Sequence, residues 1–226
     1  KNTILNILVL VVVCCGIMAA AMQSLANSIL LDSLQPMARQ SAKTVEANIH
    51  MLADRMMTIA GDSRMDAAES RGAVLEEAAE IYELYTIALY GLDGRLMQGL
   101  DAAPESLDSG FLSLLEQTDN LTIDSSTIYQ GRLGITMGMP VKESGETAFY
   151  VMGVYKYDTL NDVISSINLG KSGMAYMVNR EGAVTGHPDQ SLALGGSTLI
   201  QLSGGNGDAV ERVTTGETGA TEFPIG

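Results

Sequence analysis

The sequence has no tryptophan, two histidines, two cysteines, and 13 basic residues against 27 acidic ones. Each shortage removes a class of function. A formal net charge of −14 leaves no basic surface for a phosphate backbone, so no nucleic-acid partner is expected. The same charge gives the folded part little attraction to anionic lipid. His50 and His187 lack a nucleophile at a productive spacing, so neither catalytic residues nor enzymatic activity are expected. His50 and Asp54 stand one helical turn apart, but two ligands do not complete a metal site. The run Gly204-Gly205-Asn206-Gly207 lacks the Lys and Ser/Thr of a phosphate-binding loop. Neither a metal nor another cofactor is expected.

The cysteines are Cys14 and Cys15, adjacent and inside an apolar stretch. Neighbours of that kind cannot staple a soluble domain. The absence of cysteine beyond them fits an exported domain. Charge is also missing from Asn2 to Leu31, and Ile4 to Met22 is apolar apart from Asn6 and Gly16. At about 1.5 Å per residue such a run matches the roughly 30 Å interior of a bilayer. It is longer than the ~7–15 apolar residues of a cleaved signal peptide. Residues 1–31 are therefore expected to form a transmembrane segment. Lys1 precedes the span and Asp32 is the first charge after it. The positive-inside rule then places everything after about residue 31 on the extracytoplasmic side. The first residue is Lys, so it is not expected to be the native start.

Of 24 glycines only Gly16 precedes Gly61, and all eleven aromatics lie at Tyr82 or later. Between them sits a helical stripe: Val45, Ile49, Leu52, Met56 and Ile59, in steps of four and three. This predicts a long stalk helix over 32–60, capped by Asp32 or Ser33, with a connector to residue 81. A lone exposed seam would be costly, so the stripe also predicts a homodimer through the stalk.

After Gly61 the texture turns to strands and turns. Tyr85–Tyr90 and Arg95–Gly99 flank Asp93-Gly94, a hairpin signal. Leu107, Phe111, Leu114 and Leu115 predict a short helix. Strands are expected at Leu121–Tyr129, Arg132–Val141 and Thr147–Tyr157, and a helix at 158–167. Together these make a five-stranded antiparallel sheet with a helix on one face. A second hairpin, Met174–Asn179 with Ala183–His187, lies 88 residues after the first, laying Glu181-Gly182 on Asp93-Gly94. A further strand is expected at Val210–Thr215. The second sheet would then lack its last two strands and keep a raw edge. The chain is expected to be part of a longer protein.

The order of elements, and the stretch Gly170-Lys-Ser-Gly-Met-Ala-Tyr-Met-Val-Asn-Arg-Glu-Gly-Ala-Val-Thr-Gly-His-Pro188 above all, resemble the double Cache sensor domain of bacterial methyl-accepting chemotaxis receptors. Gly153-Val154 followed by Asp158 is similar to the end of the distal unit's last strand, and Met37–Asn48 to the receptors' stalk helix. The resemblance implies an α+β fold. A transmembrane helix continues into the stalk, followed by two PAS-like units with antiparallel sheets, a distal one at 82–167 and a truncated proximal one at 168–226. It implies a sensory module that detects a small molecule and controls chemotaxis, with a downstream kinase complex reached only through cytoplasmic parts. The same sensor also precedes histidine kinases and cyclic-dinucleotide enzymes, and a ligand-free membrane scaffold is a third reading. The Arg-x-Trp-Tyr run of amino-acid-binding members is absent. Asp158 matches the family's aspartate for a ligand amine. Within the distal unit Tyr129, Arg132, Thr136, Tyr155 and Asp158 lie on or beside the strands that would line a pocket. Arg132 is suited to a carboxylate and Asp158 to an ammonium.

Overall fold

A computed structural model describes residues 36–124, 128–166 and 175–216, together with Met18, Met22 and Leu25. The expected span at 1–31 lies outside the described residues but for those three, which are helical and exposed. Among the described residues no helix is long and apolar enough to cross a membrane.

Residues 36–60 form helix α1. The segment has no glycine to loosen it. Hydroxyls along it, such as those of Ser41, Thr44 and Thr58, donate back to carbonyls four residues earlier at 2.8–3.0 Å. Gly61 N–H closes the last turn on Met57 O. The predicted stripe is the buried face: Leu52, Met56 and Ile59 are 0–3% exposed, with Val45 and Ile49 half-buried. Burying each of the first three stabilises the fold by about 1.5–3 kcal/mol. They pack on the chain's own sheet, so the seam that predicted a second copy already has an intramolecular partner. Helix α2, Ala68–Ile81, follows a 3-10 turn at Ser63–Asp66 that Asp62 caps. Arg71 ties α2 down. Its Nε donates to Met65 O at 2.7 Å and its guanidinium lies 4.3 Å above the Phe149 ring.

The sheet comprises β1 (Leu84–Tyr90), β2 (Leu96–Gly99), β3 (Thr122–Ile123), β4 (Ile128–Tyr129), β5 (Arg132–Glu143) and β6 (Glu146–Lys156). Its order is β2-β1-β6-β5-β3, antiparallel throughout, with β4 on the start of β5. The single run expected at Leu121–Tyr129 is thus two short pieces on one edge, either side of residues 125–127, which lie outside the described residues. The Asp93-Gly94 hairpin is present, with Gly94 at φ +74°. Helix α3, Ser109–Thr118, lies on the outer face, and α1 and α2 on the inner one.

Helix α4, Asp158–Ser166, leads to a second hairpin of β7 (Met177–Val178) and β8 (Val184–Gly186), turning at Gly182 with φ +78°. Two short helices follow, α5 (Gln190–Leu194) and α6 (Leu199–Leu202). The strand expected at Val210–Thr215 is instead helix α7, Gly207–Thr214. Asp208 in its first turn and Arg212 in its last oppose the helix dipole. Val210 and Thr214, one turn apart, both reach toward Gly182. Tyr157, Ile164, Val184 and Ala193 belong to the same apolar cluster as the α1 stripe, so the two units share a core.

Three buried tyrosines, Tyr155 and Tyr157 in this core and Tyr90 under α3 on the outer face, set an alkaline limit. Burial pushes the Tyr157 phenol up to about 12, and raises Tyr90 and Tyr155 in the same direction. Each holds its proton more tightly folded than unfolded, where the value is about 10. Their contribution to stability is full below about pH 10 and is lost as the pH rises above it, through about 12 for Tyr157. Phenolate absorbance and helical signal, followed together, are expected to change in one cooperative step above pH 10.

Candidate ligand-binding site

The outer face of the sheet is built in rows. Thr86, Val154 and Thr136 form one, and Ala88, Met152 and Gly138 the next. Helix α3 seats on the second row because Gly138 has no side chain. A Cβ there would stand 3.1 Å from the Phe111 ring and 3.3 Å from Leu115. Asp108 starts α3, its carboxylate accepting from Gly110 N at 2.8 Å and Phe111 N at 3.2 Å. Asp108→Ala is expected to lower stability by about 1 kcal/mol and Asp108→Asn by much less, since asparagine also caps. Thermal unfolding of the two variants checks this.

Beside the start of α3 the sheet is not covered by helix, and a cavity of about 480 Å³ remains. Thr136 and Met152 lie at its sheet side, Phe111 and the Ser106–Ser109 loop on one flank, Asp124, Ile128 and Tyr129 on the other. The loop is pinned over the sheet by phenols. Tyr90 Oη donates to Pro104 O at 3.0 Å and Tyr129 Oη donates to Ala102 O, joined by Gln130 Nε2 at 3.1 Å. Burial raises both phenols, which keeps them protonated as donors. Among the described lining residues there are two carboxylates, Asp108 and Asp124, and no Lys, Arg or His. Four hydroxyls, of Ser106, Ser109, Tyr129 and Thr136, offer both donors and acceptors. An apolar wall with a few convergent polar groups suits a small molecule.

Of the five residues singled out in the sequence, the structure brings two together here, Tyr129 and Thr136. Arg132 is exposed at the start of β5, its guanidinium 5.9 Å over the Tyr85 ring, outside the lining. Asp158 is exposed at the start of α4, also outside it. Tyr155 is on the inner face, buried, donating to Leu52 O at 3.0 Å. A β-bulge explains the last. The β5–β6 turn pairs Glu143 with Glu146, but the register shifts by one between Val141 and Lys142. Unshifted, Tyr155 would oppose Gly134, on the face of Arg132 and Thr136. Shifted, it opposes Ile135 and turns inward. Asp108, Phe111 and Met152 were not among the expected site residues. Asp108 did carry a signal, as a cap-type residue just before a helical run.

A second, larger cleft of about 560 Å³ runs between α1 and Ala175–Met177. It is lined largely by apolar groups, its polar ones being Ser41, Glu46 and His50 on α1 and the phenol of Tyr176. It offers little to fix a ligand's orientation, so the smaller cavity is the better candidate. His187 is buried against Tyr176, and its Nδ1 accepts from Asp189 N at 2.9 Å.

No family model matches the chain. Methyl-accepting chemotaxis protein PscA of Pseudomonas syringae pv. tomato is 24% identical over 182 residues, covering 76% of this chain and 28% of the relative. The chain thus spans under a third of the length of that curated relative. Among solved structures, the ligand-binding domain of the Pseudomonas fluorescens chemoreceptor CtaA with L-isoleucine superposes at a TM-score of 0.64, with 19% identity, over 79% of this chain and 76% of that one. The ligand-binding domain of the Pseudomonas aeruginosa amino-acid chemoreceptor PctC with GABA gives 0.59 and 19%, over 75% and 80%. The sensory domain of Campylobacter jejuni Tlp3 gives 0.59 and 12%, over 75% and 76%. The described residues have the mixed helix and antiparallel-sheet fold of chemoreceptor ligand-binding domains.

Proposed function

We propose that the chain is the extracytoplasmic sensory module of a transmembrane chemotaxis receptor, detecting a small molecule in the cavity at Thr136, Met152, Phe111 and Tyr129. The observation that carries this is the cavity itself, rimmed with hydroxyls and carboxylates on the outer sheet face of a fold shared with ligand-complexed chemoreceptor domains. Residues 1–31 anchor the module in the membrane, 82–167 form its membrane-distal unit and 168–226 belong to the proximal one. Helix α1 follows the anchor in the chain and packs on the sheet, so a shift of the sheet passes toward the membrane along a rigid element. Two copies pair along α1. With Leu52, Met56 and Ile59 taken by the sheet, the pairing face is the opposite one, through Thr44, Ala47 and Met51, which are exposed.

The test is a hybrid receptor in which the chain replaces the matching segment of the P. syringae receptor. Cells carrying it are given amino acids, carboxylates and amines, and swimming bias is recorded. The expected result is a response that Thr136→Trp abolishes by filling the cavity. A response unchanged by Thr136→Trp contradicts the assignment. Single cysteines at Thr44 or Ala47 are expected to crosslink in membranes, and cysteine at Leu52 is not.

A further inference from the structure

The two units meet at one tight seat. Tyr157 is the first residue past β6, 1% exposed, and its ring lies against the backbone of Gly186 in β8. A Cβ built on Gly186 would overlap Tyr157 Oη and stand 2.7 Å from Ile164 Cδ1 and 3.4 Å from Met177 Cβ. Only glycine leaves room for a phenol there. Ile164 belongs to α4, the helix that starts one residue after Tyr157, and it is 2% exposed. Strand β6 therefore touches β8 twice, directly through Tyr157 and through α4. The same strand carries Met152 on the cavity side, five residues before Tyr157.

The seat is polar where it is most buried. Tyr157 Oη is enclosed there.

We propose that the seat of Tyr157 on Gly186 carries a change in the first unit to the second. A movement of β6 at the cavity shifts Tyr157 along β8, and close packing turns that shift into a displacement of the β7–β8 hairpin. The role as a signal relay rests on the sensory reading above; the contact itself does not.

Two measurements test it. The first is a thermal-unfolding cycle on the full chain with Gly186→Ala, Tyr157→Phe and the pair. Gly186→Ala is expected to lower Tm by several degrees, and on the Tyr157→Phe background, where the colliding oxygen is gone, to lose less than half as much. Additive losses overturn the seat. If Gly186→Ala alone does not fold, the pair does, and it is compared with Tyr157→Phe; failure of the pair to fold overturns the seat as well. The second is the hybrid receptor. Gly186→Ala is expected to bind stimulus as the parent does and lose at least tenfold in response, and Tyr157→Phe to restore it. A Gly186→Ala hybrid that responds like the parent, or no restoration by Tyr157→Phe, overturns the relay. A parent hybrid that never responds sinks the sensory reading instead, and the thermal cycle then judges the seat alone.

Discussion

Met56→Ala is expected to lower the stability of the chain by about 2–5 kcal/mol, a fall in Tm of roughly 5–15 °C for a domain of this size. Met56 is fully buried, and its Cε would lie 2.7 Å from a Cβ on Gly153 in the middle of β6. The side chain fills the space that the glycine leaves. Truncation opens a cavity at the centre of the contact between α1 and the sheet, where neither element can collapse inward. Tyr155 Oη remains on Leu52 O, so the helix stays attached but less firmly. Hydrogen exchange in residues 45–60 is expected to accelerate more than exchange in β1. Calorimetry checks the loss, and a fall in Tm under two degrees would mean that α1 is not docked through this stripe.

Gly138→Val has the second large expected effect, and it falls on the site. The added side chain meets the Phe111 ring and Leu115, 6% and 0% exposed, neither with space to retreat. Overpacking of this kind costs about 1–3 kcal/mol. The sheet cannot give, because Gly138 pairs with Met152 in the longest ladder of the fold. Helix α3 must lift instead, and it carries Phe111 together with its cap, Asp108. Affinity for any molecule in the cavity is expected to fall at least tenfold, by about 1.4 kcal/mol or more. Parallel measurement of Tm and binding checks this, and tight binding retained by a stable Gly138→Val chain would remove α3 from the site.

How much of this was legible in the sequence depended on the period of each signal. Helix α1 was legible because Val45, Ile49, Leu52, Met56 and Ile59 keep one face over four turns without a glycine. What covers that face was not, since a stripe has the same pattern against a second copy or against a sheet. The Asp93-Gly94 and Glu181-Gly182 hairpins were legible from local turn chemistry. The residues around the candidate cavity were legible only in part. Tyr129 and Thr136 line one cavity, but Tyr155 belongs to the other face because one bulge at Val141–Lys142 reverses the alternation of β6. A bulge of that kind leaves no mark in an alternating run of apolar residues. Helix α7 was read as a strand over Val210–Thr215, although Val210 and Val213 keep helical spacing and the charges at its two ends suit a helix.

Which of the two cavities holds a ligand is the central question. The most direct measurement is a thermal-shift screen of the full chain with amino acids, carboxylates and amines, repeated on Thr136→Trp and on Ala42→Trp. Thr136 lines the cavity beside α3, and Ala42 lines the larger cleft against α1. The expected result is a rise in Tm that is lost in Thr136→Trp and kept in Ala42→Trp. A rise kept in Thr136→Trp and lost in Ala42→Trp would contradict the assignment of the site.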